Sequence, residues 1–350
     1  MSVFESADFA AHEQVVYAAD PEAGLRAIIA IHSTALGPAI GGCRIRPYAD
    51  ETQALIDVLR LSRGMSFKAA VAGVPFGGGK MVVIADPRRD KSPALMRAIG
   101  AAVDRLGGRY VTGEDVGTTA EDMTLIKLST DHVMGLPESS GGSGDPSPRT
   151  ALGCFVGIVA AVRHRLQRDG VSGVRVAVQG LGNVGRNLCQ LLAAAGAELV
   201  VSDLRSELVE DAVSAFGARP AAPEEIHRVA ADVFAPCALG AVVNDATLPE
   251  LRAPIVAGAA NNQLADEIRH GAQLRDRNIL YAPDYVINAG GMIQLAVERS
   301  GLDWSEVDRR VRAIGETLTA IFEQADSEGA PPAVAAHNLA RSRLHLALRT

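Results

Sequence analysis

The chain is expected to be an α/β protein of two domains, and three observations support this. Its 350 residues exceed the roughly 100–200 of a single domain, and 48% of them are hydrophobic against 21% charged. That balance suits a packed core in each domain and is unlike a disordered chain. β-branched, strand-like runs alternate with runs of helical period along most of the length. One of those strands leads through a glycine-rich turn into a helix.

In chain order, HEQVVYAAD and LRAIIAIHS read as strands joined by the turn residues of DPEAG. ADETQALIDVLRLSRGMSFKAAVAG has apolar residues near i, i+3 and i+4 and reads as a helix. VPFGGGKMVVIAD reads as a glycine loop running into a strand, SPALMRAIGAAVDRLGG as a helix closed by glycines, and RYVTGEDVGTT as a strand ending in a polar turn. Residues 137–148, PESSGGSGDPSP, are the expected hinge. It separates an N-terminal domain, 1–136, from a C-terminal domain, 149–325. RTALGCFVGIVAAVRHRLQ then reads as a long helix, followed by strand, turn, helix and strand from Val174 to Leu204. Further βα alternation runs through DVFAPCAL, PIVAGAANNQ and ILYAPDYVINAGG to a helical end. The last segment, 326–350, is expected to rejoin the first domain.

The 34 Lys and Arg against 41 Asp and Glu leave a net charge of −7, against a broad nucleic-acid surface. No apolar run reaches the ~18 residues of a membrane span, and the N-terminus lacks the layout of a secretion signal. The cysteines Cys43, Cys154, Cys189 and Cys237 lie far apart without a C-x-x-C pair. They read as inert thiols of a reducing cytoplasm rather than a zinc site or disulfide framework, and no metal is expected.

The lysines are few: Lys68, Lys80, Lys91 and Lys127, against thirty arginines. Drift toward Arg leaves Lys mainly where Arg will not serve, because only Lys readily loses its proton. Lys91 and Lys127 read as solvated surface residues. Lys68 and Lys80 sit among small and apolar neighbours and are the candidates for chemistry. Gly77-Gly78-Gly79-Lys80 is no P-loop, since Val74 stands where the first glycine is needed and Met81 where Ser or Thr should be. In Gly113-Glu114-Asp115-Val116-Gly117, Asp115 reads as a proton shuttle or a turn-stabilising acid, and Glu114 as a surface acid.

Gly180-Leu181-Gly182-Asn183-Val184-Gly185 matches G-x-G-x-x-G between a β-branched strand and a helix, and Asp203 ends the next strand 23 residues after Gly180. This is the layout of a Rossmann unit. Gly180 allows the tight turn, Gly182 lets backbone N–H groups approach phosphate, and Gly185 lets helix and strand pack. The helix start at Asn183 and Val184 supplies N–H donors. Asp203 is placed for the adenosine ribose hydroxyls and favours NAD, while Arg205 could reach a 2′-phosphate.

The segments HSTALGPAIGGCR, LSRGMSFKAA, GGGK, GEDVGTT, VQGLGNVG, DVFAPCALG, AGAANNQL and ILYAPDYVINAGG occur in this order. Together they resemble the amino-acid dehydrogenase family that includes glutamate, leucine, valine, phenylalanine and tryptophan dehydrogenases. The resemblance runs from about residue 12 to 340. It implies an N-terminal mixed-sheet α/β substrate domain, a C-terminal doubly wound Rossmann NAD-binding domain, an active-site cleft between them, and a homo-oligomer. It also implies Lys80 and Asp115 as catalytic residues and Lys68 as the carboxylate-binding lysine. Gly41, Gly42, Gly77 and Gly78 would give close backbone contact with substrate. Asn262 would contact the α-carboxylate. Thr150, Cys237, Ala238, Asn261 and Asn288 would line the cofactor.

The chemistry fits these roles. In the oxidative direction the substrate Cα loses a hydride, and water attacks the resulting iminium. Lys80, crowded and near cationic Lys68, is expected to have a lowered pKa and to take the water's proton, while Asp115 handles the protons of the departing nitrogen. Ile40 stands where glutamate-specific relatives carry Lys, so an apolar side chain is expected. Gly113, with Met292 and Leu295, leans the reading to Phe or Trp, with Leu or Val as the alternative. A non-catalytic NAD sensor would be expected to have lost Lys68, Lys80 or Asp115, and all three are present. A hydroxy-acid dehydrogenase needs a His or Arg beside the hydroxyl, and His12, His32 and His132 show no such setting.

Overall fold

A computed structural model of the protein describes residues 3–238, 240–301 and 303–347. These form two compact units. One holds the described residues up to Asp145 with the segments beginning at Leu295 and at Ala340; the other holds 146–294 and 303–339. Within the first unit the order is β1 (Gln14–Asp20), β2 (Leu25–Ser33), β3 (Ala39–Arg46), α1 (Glu51–Ala72), β4 (Gly77–Ile84), α2 (Pro93–Asp104), β5 (Tyr110–Gly113) and α3 (Ala120–Lys127). The sheet runs β1-β2-β4-β3-β5. Its β1-β2 and β2-β4 pairs are antiparallel, and β4-β3 and β3-β5 are parallel.

Local chemistry sets these ends. Asp50 caps α1 by accepting from Gln53 N at 2.8 Å, and Gly73, at φ +66°, ends it in the left-handed conformation. Ser92 caps α2 ahead of Pro93, and Thr119 with Asp122 forms a reciprocal capping box on α3. One sheet face packs Ile29, Cys43, Met81 and Tyr110 against Met96 and Ile99 of α2, and the other packs Ile28, Ala30 and Val82 against Leu55, Val58 and Leu59 of α1. The glycines read as a loop before Lys80 are instead the first residues of β4. A Cβ at Gly77 would lie 1.9 Å from Ser33 O, and one at Gly78 would lie 2.0 Å from Ser66 N. The neighbouring chain therefore demands glycine there whatever the ligand. Lys91 also departs from expectation: it is partly buried and donates to Asp122 Oδ2 at 2.6 Å.

The second unit begins with α4 (Ser147–Leu166). It continues β6 (Arg175–Gln179), α5 (Asn183–Ala194), β7 (Glu198–Ser202), α6 (Ser206–Phe216), β8 (Arg219–Pro220), β9 (Val233–Pro236) and β10 (Ile255–Val256). Then come α7 (Glu267–Asp276), β11 (Leu280–Tyr281), α8 (Asp284–Ile287), α9 (Gly290–Ser300), α10 (Trp304–Arg312), α11 (Ile314–Glu328) and α12 (Pro332–Ala347). The sheet order is β11-β10-β9-β6-β7-β8, all parallel. The α/β class with a mixed and a parallel Rossmann-type sheet is thus as expected. The winding reverses between β6 and β9, and ligands of open parallel sheets bind at such a switch point. Residues of α9 and α12 are shared between the units: Met292 belongs to the second and Leu295 to the first, and the part of α12 from Ala340 belongs to the first. There Arg343 donates to Ala70 O and Val71 O at 2.9 and 2.7 Å. Among the described residues no helix is long and apolar enough to cross a membrane.

A histidine pair ties β2 to α1. His32 Nδ1 lies 2.8 Å from Ser66 Oγ, and His12 Nε2 lies 3.0 Å from Ser62 Oγ, with the rings edge to face. Burial, then the nearby His12 and Arg63, hold His32 down at about 4. The unfolded chain takes up this proton near 6.5 and the folded one only near 4. The contribution of His32 to stability is therefore complete above the higher value and is lost as pH falls through that window. Denaturant midpoints should drop from neutral pH to about pH 4, and His32→Gln should flatten that slope; an unchanged slope would refute the assignment.

Candidate active site

In the first unit, Ile40, Gly42 and Arg44 alternate along β3. Lys80 lies in the adjoining strand, in the register between Gly78, paired with Ile40, and Met81, paired with Cys43. Gly41 and Gly42 pair with Thr112 and Gly113 of β5. The glycines bring backbones together: a Cβ at Gly41 would lie 1.8 Å from Gly79 O, and one at Gly42 would lie 2.7 Å from the Asp115 Cβ. That closeness seats the turn after β5 against β3. The turn is fixed further by Thr118, whose hydroxyl accepts from Asp115 N at 2.9 Å and donates to Cys43 O at 3.0 Å.

Asp115 is thereby brought onto Lys80. The Lys80 ammonium, 4% exposed, donates to Asp115 Oδ2. Asp115 Oδ1 accepts from Arg44 Nε at 2.8 Å and from Val116 N at 2.7 Å. Burial pushes the Asp115 carboxyl up, but the charges and hydrogen bonds of Lys80 and Arg44 outweigh it and hold it at about 2. Lys80 thus has an anionic carboxylate for its direct neighbour. Lys68 is half-buried on α1, two residues beyond the Ser66 that Gly78 touches. Glu114 is exposed, as expected. Leu295 is half-buried near Gly135, and Ile40 is 4% exposed.

The residues missed in the sequence are Arg44, Asp57 and Tyr48. Arg44 Nη1 reaches Asp57 Oδ2 at 3.1 Å, and the Tyr48 hydroxyl donates to the same oxygen at 2.6 Å. The available signal was the spacing of Arg44, two residues past Gly42 and so on the same sheet face, but one arginine among thirty does not stand out.

In the second unit the G-x-G-x-x-G turn leaves β6 at the switch point. Gly180 has φ +96°, which only glycine adopts freely, and its missing Cβ would lie 2.7 Å from Ala238 after β9. A Cβ at Gly185 would lie 1.9 Å from Gly180 O, so helix α5 can meet the turn only without one. At Gly182, by contrast, none of the described atoms comes within 4 Å of such a Cβ. Asn183 and Val184 open the helix beside that free face.

Asp203, after β7, accepts from Leu181 N at 2.7 Å and from Arg205 N at 3.0 Å, and the Arg205 guanidinium is 3.5 Å away. Burial pushes its carboxyl up, and these donors more than reverse that. Asn288, 4% exposed, donates to Ala259 O at 3.1 Å and to Asn261 Oδ1 at 2.7 Å. Its own Oδ1 is buried without a partner among the described residues, an acceptor that a ligand hydroxyl would satisfy. Asn262 is exposed with φ +52°. Thr150 donates to Pro146 O at 3.0 Å, and Met292 is 5% exposed. Cys237 is partly exposed at the end of β9, with buried Cys154 as its neighbour. A free glycine face at a helix start, a ribose-type carboxylate and an orphaned buried amide oxygen fit a dinucleotide.

The family model for the Glu/Leu/Phe/Val dehydrogenase dimerisation domain matches residues 12–132, and that for Glutamate/Leucine/Phenylalanine/Valine dehydrogenase matches 141–213 and 202–349. Leucine dehydrogenase of Bacillus cereus is 48% identical over 344 residues, 98% of this chain and 94% of that protein. L-tryptophan dehydrogenase of Nostoc punctiforme is 48% identical over 350 residues, 100% of this chain and 98% of that protein. The crystal structure of the Nostoc punctiforme L-tryptophan dehydrogenase superposes with a TM-score of 0.86 at 46% identity, covering 97% of this chain and 98% of that one. With its amine–carboxylate pair in one unit and its nucleotide turn in the other, the chain belongs to the Glu/Leu/Phe/Val dehydrogenase family of amino-acid dehydrogenases.

Proposed function

We propose that the protein is an NAD-dependent L-amino-acid dehydrogenase for apolar side chains, with an aromatic substrate favoured, acting as a homo-oligomer. The observation that carries this reading is the buried Lys80–Asp115 pair. The hydride acceptor is the oxidised nicotinamide ring of the bound cofactor. Lys68 holds the α-carboxylate through its ammonium, with Asn262 as a second contact. Asp115 Oδ2 accepts the proton of the substrate ammonium, so that the nitrogen lone pair can drive hydride loss from Cα. Lys80, in its amine form, takes a proton from the water that attacks the iminium carbon. Asp115 returns its proton to the nitrogen; as ammonia leaves, the regenerated Asp115 carboxylate takes the carbinolamine hydroxyl proton, the carbonyl of the 2-oxo acid forms, and the protons on Asp115 and Lys80 pass to ammonia and solvent.

Gly180, Gly182, Gly185 and the first N–H groups of α5 receive the pyrophosphate, Asp203 the adenosine ribose, and Asn288 with Asn261 the nicotinamide ribose, with Thr150, Cys237 and Ala238 alongside. Arg205 is engaged with Asp203 rather than free for a 2′-phosphate, which supports NAD over NADP. Ile40 offers no charge to a substrate carboxylate, which supports an apolar side chain.

The test is a panel of L-amino acids with NAD and NADP, read as initial rates of cofactor reduction. Turnover of apolar amino acids with NAD is expected, and no turnover with any member would end the reading. The branched-chain alternative rests on the 48% identity to a leucine dehydrogenase. Gly113 separates the two. A Cβ there would meet only Met134 O at 3.5 Å, an ordinary contact, so alanine fits the fold. If the missing methyl deepens the substrate pocket, Gly113→Ala should lower the aromatic-to-branched ratio of kcat/KM by about 10-fold or more. An unchanged ratio would remove Gly113 from the pocket.

A further inference from the structure

The two oxygens of Asp115 have different surroundings. Oδ2 meets Lys80; Oδ1 is taken by Arg44 Nε and Val116 N. Arg44 is 17% exposed, and its other arm is held by Asp57, which is in turn held by Tyr48. The residues therefore form a chain of alternating charge: Lys80, Asp115, Arg44, Asp57, capped by the Tyr48 hydroxyl. Asp57 comes from α1, whereas Arg44 and Lys80 come from neighbouring strands.

We propose that Arg44 is a positioning residue of the reaction, which fixes Oδ1 of Asp115 and supplies its permanent counter-charge, so that Oδ2 alone faces Lys80 and the substrate nitrogen. The inference rests on the reading of Asp115 as the proton shuttle. If Lys80 gives up and regains a proton in each turnover, it cannot neutralise Asp115 throughout. A guanidinium does not lose its proton and can do so. Its planar fork also sets the carboxylate's rotation, because Nε binds one oxygen while Nη1 is anchored on Asp57. A lysine at this position would supply charge without that orientation. Asp57 serves by holding the fork, and the burial of the cluster keeps solvent from screening it.

The charged groups against Asp115 are Lys80 from β4 and Arg44 from β3, with Asp57 behind Arg44; the buried Cys43 thiol of β3 and Tyr110 phenol of β5 lie nearby on the opposite face of the sheet. Of these, Lys80 and Arg44 carry the positive charge. Loss of Arg44 should let the Asp115 carboxyl titrate at higher pH, and the acid limb of kcat should move up with it.

The experiment is a kinetic cycle on the full-length enzyme with its best amino acid. It compares Arg44→Gln, Arg44→Lys, Asp115→Asn and the double variant Arg44→Gln/Asp115→Asn, with reduced-cofactor binding measured in parallel. Arg44→Gln should lower kcat about 10- to 100-fold with little change in KM, raise the acid limb, and leave cofactor affinity unchanged. Arg44→Lys should recover part of the rate. The double variant should be no slower than Asp115→Asn, since Arg44 acts through that carboxylate. Equal loss from Arg44→Gln in both backgrounds would overturn the inference, as would wild-type kinetics of Arg44→Gln beside a slow Asp115→Asn. A wild-type rate for Asp115→Asn would instead overturn the reading of Asp115 itself. If Arg44→Gln does not fold, Arg44→Lys decides: wild-type kinetics, or a loss that persists in the Asp115→Asn background, would refute the role.

Discussion

Lys80→Ala should lower kcat for amino-acid oxidation by about 10²–10⁴-fold, the range that a positioned general base contributes, while the affinity for reduced cofactor stays near wild type. The side chain is 4% exposed and donates to Asp115. Removing one member of a buried ion pair usually costs ~3–5 kcal/mol, because the other charge is left uncompensated. Here Arg44 remains 2.8 Å from Asp115 Oδ1 and Val116 N remains 2.7 Å away, so the carboxylate keeps two donors. The fold should therefore tolerate the change with a smaller loss. Thermal melting would separate lost chemistry from lost structure. A stable Lys80→Ala protein with wild-type turnover would remove Lys80 from the mechanism, and the buried pair would then be a packing device.

The second large effect concerns two glycines three residues apart. Gly185→Ala should destabilise the second unit and abolish cofactor binding, because the new methyl would sit 1.9 Å from Gly180 O in the turn itself. Overpacking of that kind costs ~1–3 kcal/mol, and relieving it moves α5 off the strand end. Gly182→Ala should behave differently. Its φ of −62° suits alanine, and its Cβ would meet none of the described atoms within 4 Å. The free protein should melt as wild type does, yet bind reduced cofactor about 10-fold or more weakly, because the methyl occupies space that the phosphates need. Calorimetry and fluorescence titration of both variants check the contrast. Native affinity in Gly182→Ala would place the phosphates elsewhere.

Much of the fold is legible in the sequence. A strand with alternating Val residues, a glycine turn and a polar helix start depend on neighbours close in sequence, and so appear as a pattern. Asp50, Ser92 and Thr119 likewise act on backbone groups within three residues. The glycines of β4 depart from the sequence expectation for the opposite reason. Glycine signals a loop by its local freedom, but Gly77 and Gly78 are glycine because Ser33 and Ser66, 44 and 12 residues away, leave no room for a Cβ. Lys91 departs for the same reason: its local setting is polar, and its partner Asp122 lies 31 residues on.

The sequence alone determined the α/β class, the nucleotide turn with its strand and helix, the carboxylate at Asp203, and the candidacy of Lys80 through the scarcity of lysine. Each rests on local backbone preference or on the chemistry of one residue type. It is the long-range packing that brings Lys80 onto Asp115, sets Arg44 and Asp57 behind that pair, and leaves Asn288 with a buried oxygen unpartnered among the described residues. Those facts depend on strand register and sheet order, which join residues 13 to 71 positions apart. The periodicity of a single segment carries no information about which distant strand will lie beside it.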